Sequence, residues 1–147
     1  MSNCRPVTLV LCLVAGGLEA QDKEVLKVPG AVEGIPFSPV VKVGNILYLS
    51  GQTGNVPGTR QLADTGIAGQ TRQTLENIKG LLTAAGSSMD RIFKCTVFLV
   101  SMADYAPMNA VYATYFPKDP PARSAMAGSG LALGARVEIE CLATAGS

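Results

Sequence analysis

Between residues 67 and 85, Ile67, Thr71, Leu75, Ile78, Leu82 and Ala85 recur at spacings of three and four, and no other segment limits the fold as much. That spacing puts all six on one stripe of a helix. The stripe must be buried against something, and the next segment supplies it. Residues 91–100 (RIFKCTVFLV) are β-branched, aromatic and apolar, the composition of a strand. Gly86, between them, stands where a helix usually stops. A long helix delivered straight into a strand predicts a sheet with a helix lying on one of its faces.

The remaining segments extend this plan. Residues 21–28 are charged and read as a lead-in, and residues 29–39, with three prolines, read as irregular extended chain. Val40–Val43 and residues 46–50 flank Gly44-Asn45, a two-residue turn that predicts a β-hairpin. Residues 51–66 read as a loop. Gly69 and Gly80, inside the first helix, predict close packing against the sheet. Ser101-x-x-Asp104 has the form of a capping box with Asp in place of Glu. Behind it Tyr105, Met108, Tyr112 and Tyr115 form the stripe of a second helix, which Phe116-Pro117 ends. The tyrosines read as packing residues. Ala122–Ala127 and residues 135–143 alternate as two final strands. The order ββαβαββ needs both a hairpin and crossover connections. It predicts an α+β fold, a mixed sheet with two helices on one face. The sheet's other face is left bare, which predicts a homo-oligomer.

The chain has no histidine among its 147 residues, which removes histidine metal sites, the Ser-His-Asp triad and the Cys-His dyad together. No metal or cofactor is expected. The net charge of +1 and the lack of a basic run argue against nucleic acid as a partner. The first twenty residues carry only Arg5 and Glu19 as charges, around an apolar run over residues 7–15. This is the pattern of a signal peptide, with cleavage expected after Ala20. The run is too short for a membrane span, which needs about 20 apolar residues. Residues 1–20 are therefore expected to be a leader and residues 21–147 a single domain. The protein is expected to be exported (periplasmic or secreted) if the leader is cleaved and cytoplasmic otherwise, with no membrane association once the leader is gone. Cys95 and Cys141 read as buried thiols, with a disulfide open to an exported chain.

Two charged positions interrupt the final strands: Arg123 in Pro121-Ala122-Arg123-Ser124-Ala125 and Glu138 in Arg136-Val137-Glu138-Ile139-Glu140. A guanidinium grips a carboxylate through two parallel hydrogen bonds, which fixes orientation as well as charge. A glutamate in a cleft can orient a water and move a proton if its pKa is tuned upward. On neighbouring strands, Arg123 and Glu138 are expected to hold a small carboxylate and a water side by side. The alternative for Arg123 is a structural ion pair with Glu138 or Glu140. Glu140 reads as part of a solvated strand face.

Leu49-Ser50-Gly51-Gln52, residues 94–99, residues 109–116, Pro121-Ala122-Arg123-Ser124 and Val137-Glu138-Ile139-Glu140 together resemble the reactive-intermediate deaminase (Rid, or YjgF) family. The resemblance implies a chorismate-mutase-like fold assembled as a homotrimer around a central barrel, with a cleft at each subunit boundary. It implies hydrolysis of 2-imino acids to 2-keto acids and ammonia, with small imino and keto acids as the partners. Arg123 sits where the family's carboxylate-binding arginine falls, and Glu138 matches its water-positioning acid. Ser50, Gly51 and Asn109 match ligand-contacting positions. Phe37 replaces a tyrosine of many relatives, and Ala125 a cysteine of several. The alternative function is a non-catalytic trimeric protein that binds small carboxylates. RNA cleavage, attached to some relatives, is disfavoured by the missing histidine and basic patch.

Overall fold

In a computed structural model the described residues are 22–29, 32 and 34–146, so the leader expected at 1–20 lies outside them. Helix α1 (Ile67–Ala84) forms where its stripe predicts and buries Thr71, Leu75, Ile78 and Leu82, together with Gln70, Thr74 and Leu81. Gly86 ends it at a φ of 70°, and Ser87 N–H donates to Leu82 O at 2.8 Å, closing the helix as a glycine-terminated one.

Seven strands make one sheet: β1 (Lys23–Leu26), β2 (Val40–Val43), β3 (Ile46–Leu49), β4 (Gln52–Thr53), β5 (Ile92–Leu99), β6 (Ala122–Ala127) and β7 (Val137–Thr144). Their order is β1-β2-β3-β7-β5-β6, with β4 pairing the far end of β7. β5 and β6 are parallel and are joined through helix α2 (Tyr105–Tyr115). The other pairs are antiparallel, so the sheet is mixed as expected. The hairpin turns at Gly44, whose φ of 57° is the backbone a tight two-residue turn needs.

Pleating gives the sheet two unlike faces. Cys95, Val97 and Leu99 of β5 and Val137, Ile139 and Cys141 of β7 are buried in one core with Leu75, Ile78, Met108 and Tyr112 of the helices. Thr96, Phe98, Glu138, Glu140 and Leu142 alternate with them and face the other way. Among the described residues no helix covers that second face.

Four expectations are corrected. Residues 21–28 are not merely a lead-in: four of them form β1, which pairs antiparallel with β2. Their charges disguise an edge strand, where charged side chains are normal, and Glu24 meets Lys42 across the pair at 3.8 Å. Within the expected loop, β4 is too short to leave a pattern. A Cβ on Gly80 would meet nothing within 4 Å among the described residues, and one on Gly69 would meet Asp64 rather than the sheet. The close approach falls at Gly54 instead, where a Cβ would lie 2.8 Å from the Gln70 backbone. Ser101 does cap, accepting from Ala103 N–H at 3.2 Å, but Asp104 turns away to Arg136.

Cys95 and Cys141 are joined by a disulfide, not left as free thiols. They face each other directly across the β5–β7 ladder, so register brought them together.

Candidate functional site

Arg123 lies on the edge strand β6, opposite Cys95 in register, and so shares the helix face of the sheet. Its guanidinium rests 4.6 Å from the Tyr112 ring centroid and 5.6 Å from that of Tyr105. Nη2 donates to the Tyr105 hydroxyl at 3.2 Å. Among the described residues no carboxylate forms a salt bridge with it, so the structural ion pair with Glu138 or Glu140 is absent. The cation is held by aromatic faces, which attract without neutralising it. Its bond to Tyr105 is the one hydrogen bond its guanidinium makes among the described residues.

Asn109 projects from α2 into the same group. Its amide and the Arg123 guanidinium, beside the Tyr105 hydroxyl, hold that phenol below its usual range. Burial pushes Tyr112 up to about 12. The Tyr112 hydroxyl and Asn109 Oδ1 are buried without a hydrogen-bond partner among the described residues. Buried polar atoms rarely stay unpaired, so both invite a ligand or water. Ala125, two residues after Arg123 and in register with Val97, faces the same side. Arg123, Asn109 and Ala125 are therefore brought together.

Glu138 belongs to a different group. Burial first, and the charge of Glu140 second, raise its pKa above the usual carboxylate range. Gly51 makes room for it, since a Cβ there would overlap Glu138 Oε1. Next to Gly51, Ser50 N–H donates to Pro39 O at 3.0 Å and its hydroxyl donates to Ser38 O at 2.7 Å. Ser50 thus has a structural hydrogen bond and lines a cavity with Lys94 and Glu140 on the open face. Gly51 and Glu138 line another, of about 540 Å³, together with Phe37 and Leu133. Phe37 is 55% exposed and is not a core residue.

The expectation that Arg123 and Glu138 work from neighbouring strands is corrected. β5 lies between β6 and β7. Arg123 is in register with Cys95, and Glu138 with Phe98, and residues three apart on one strand point to opposite faces. One protomer therefore carries two separate groups, Arg123–Asn109–Ala125 on one face and Glu138–Gly51–Phe37 on the other.

Sequence reasoning missed Tyr105 and Tyr112, whose spacing matches a packing stripe. The signal available was that tyrosine carries a polar end, which a purely packing role leaves unexplained. It also missed Asp104, a buried carboxylate that accepts from Arg136 Nη2 at 2.6 Å.

Comparison with known proteins places the chain in a family. Residues 30–145 match the family model described as Endoribonuclease L-PSP. The chain is 35% identical over 144 residues to Reactive Intermediate Deaminase A, chloroplastic, of Arabidopsis thaliana, covering 98% of this chain and 76% of that protein. The chain belongs to the Rid (YjgF) family. Another Rid relative is the 2-iminobutanoate/2-iminopropanoate deaminase of Homo sapiens, 38% identical over 120 residues, 82% of this chain and 86% of that one. Among solved Rid-like structures, E. coli TdcF with bound serine matches with a TM-score of 0.76 at 31% identity, over 82% of this chain and 98% of that one.

Proposed function

We propose that the protein hydrolyses 2-imino acids to 2-keto acids and ammonia, at a site completed by two protomers. The observation that carries the reading is the uncompensated Arg123 cation on its tyrosine cradle. Such a group is built to take an anion, and each charge-assisted hydrogen bond it makes contributes about 1.5–3 kcal/mol. Relatives named as deaminases of 2-imino acids support the choice of substrate, and a relative with bound serine supports a small amino-acid-like ligand.

The chemistry asks little of the protein, because an imine is already electrophilic. Arg123 and the polar atoms of Asn109 and Tyr105 bind the substrate carboxylate. Glu138 of the adjacent protomer, as the carboxylate, takes a proton from water as its oxygen adds to the imine carbon. The tetrahedral carbinolamine forms. Its formation takes the proton back from Glu138 onto nitrogen. Glu138 then accepts the hydroxyl proton of the carbinolamine and passes it to nitrogen as the C–N bond breaks, so that the C–O bond becomes the keto carbonyl and ammonia leaves. A raised pKa brings the Glu138 carboxyl nearer to working pH, where acid–base assistance gives about 10²–10⁴-fold.

The homotrimer is part of this reading. The uncovered sheet face supports it, with Tyr48 46% and Met126 56% exposed there. The Cys95–Cys141 disulfide supports export to an oxidising compartment. The test generates 2-iminobutanoate with a threonine dehydratase and follows its decay. Wild type accelerates the decay and Arg123→Ala does not. If neither differs from buffer while keto acids still raise the melting temperature, the protein is the non-catalytic carboxylate binder instead.

A further inference from the structure

Leu133 is a large apolar residue in an unfavourable place. It is 46% exposed and has a φ of 60°, in the left-handed region that leucine seldom adopts. Glycines flank such turns freely; a leucine does not. Strain of this kind persists where the surrounding structure enforces it and a function uses it. The Leu133 side chain lines the cavity of about 540 Å³ that also holds Glu138, and so do Phe37, Ile35 and Pro39. Phe37, too, is left 55% exposed. Two large apolar side chains are thus spent on the wall of one cavity, beside the acid that directs water. The volume falls in the ordinary range for small-molecule pockets, roughly 300–1,000 Å³. On the single protomer it exceeds what an alanine-derived imino acid fills.

We infer that this cavity receives the side chain of the substrate, and that the preferred substrates are 2-imino acids derived from branched apolar amino acids such as leucine rather than from alanine. The inference rests on the deaminase reading and adds the substrate class to it. With the carboxylate on Arg123 of one protomer and the imine carbon under Glu138 of the next, the side chain is the part left to enter the Glu138 cavity. Its apolar wall rewards each methylene removed from water, about fourfold per carbon when burial is complete. A leucine-derived substrate carries three more carbons than an alanine-derived one, so even partial burial gives about tenfold.

The experiment generates imino acids from alanine and from leucine with an amino-acid oxidase and measures kcat/KM on the full-length protein. The leucine-derived imine is expected to be hydrolysed with a kcat/KM about tenfold higher. Leu133→Asn removes the apolar body while keeping a residue that tolerates positive φ. It is expected to lower the leucine-to-alanine ratio about tenfold. A wild-type ratio of one or less, or a ratio untouched by Leu133→Asn, overturns the inference while leaving the deaminase reading in place. If neither imine is accelerated, the deaminase reading falls, and calorimetry with keto acids decides the pocket. Tighter binding of 4-methyl-2-oxopentanoate than of pyruvate supports it; equal or weaker binding overturns it.

Discussion

Arg123 and Glu138 stand on opposite faces of the same sheet, separated by the width of β5. The parallel β5–β6 pair fixes the first on the side of the helices, against Tyr105 and Tyr112. The antiparallel β5–β7 pair fixes the second on the uncovered side. A single protomer cannot bring them to one substrate without inverting a strand. In the proposed reading, assembly is therefore a condition of catalysis rather than an addition to stability.

The raised pKa of Glu138 makes a signed prediction. Its folded-state pKa lies above its unfolded value, so ionising it opposes folding. That penalty is absent below the ordinary glutamate pKa and grows as pH rises through the folded value. Glu138→Gln is therefore expected to melt higher than wild type at pH 7, and to lose that advantage near pH 4, while losing activity. Melting temperatures of both proteins across this range check it. A Glu138→Gln protein less stable than wild type at pH 7 would contradict it.

The disulfide closes a loop of 46 residues between two adjacent strands of the core. Removing such a cross-link costs about 2–4 kcal/mol. Urea unfolding with and without a phosphine reductant measures the difference. An unchanged midpoint would mean that the bridge adds nothing to the β5–β7 ladder.

Asp104 is buried, and its Oδ1 accepts from the half-exposed Arg136 while Oδ2 has no partner among the described residues. Arg136→Met is expected to strand that carboxylate and cost about 2–3 kcal/mol. Adding Asp104→Asn removes the stranded charge and is expected to recover most of the loss. Denaturant titration of the single and double variants gives the coupling. Equal stabilities for wild type and Arg136→Met would contradict it.

Much of the fold was legible because its strongest elements carry clean periods. The α1 stripe, the alternating β5 and the Gly44 turn each state their own structure. β1 was hidden by charges that suit an edge, and β4 by its length. The site was legible in part. Arg123 and Glu138 announce themselves as charges in apolar strands, but which face each takes depends on strand order and parallelism. Those are settled by α2 crossing back to place β6 beyond β5, a long-range fact with no local sign. The Cys95–Cys141 pairing depends on the same register. Tyr105 and Tyr112 were obscured because a tyrosine's ring and hydroxyl can serve packing and chemistry from one position. Leu133 falls outside any period, and only its backbone angle exposes it.

The most direct measurement mixes two inactive variants. Arg123→Ala and Glu138→Gln are each expected to be inactive alone. When they are unfolded together in equal amounts and refolded, each site draws its arginine from one protomer and its glutamate from the next. Half of the sites then receive an intact arginine, and half of those an intact glutamate, so about one quarter of wild-type activity returns. If one protomer supplied both residues to each site, the mixture would stay as inactive as its components, and the two-protomer account would be wrong.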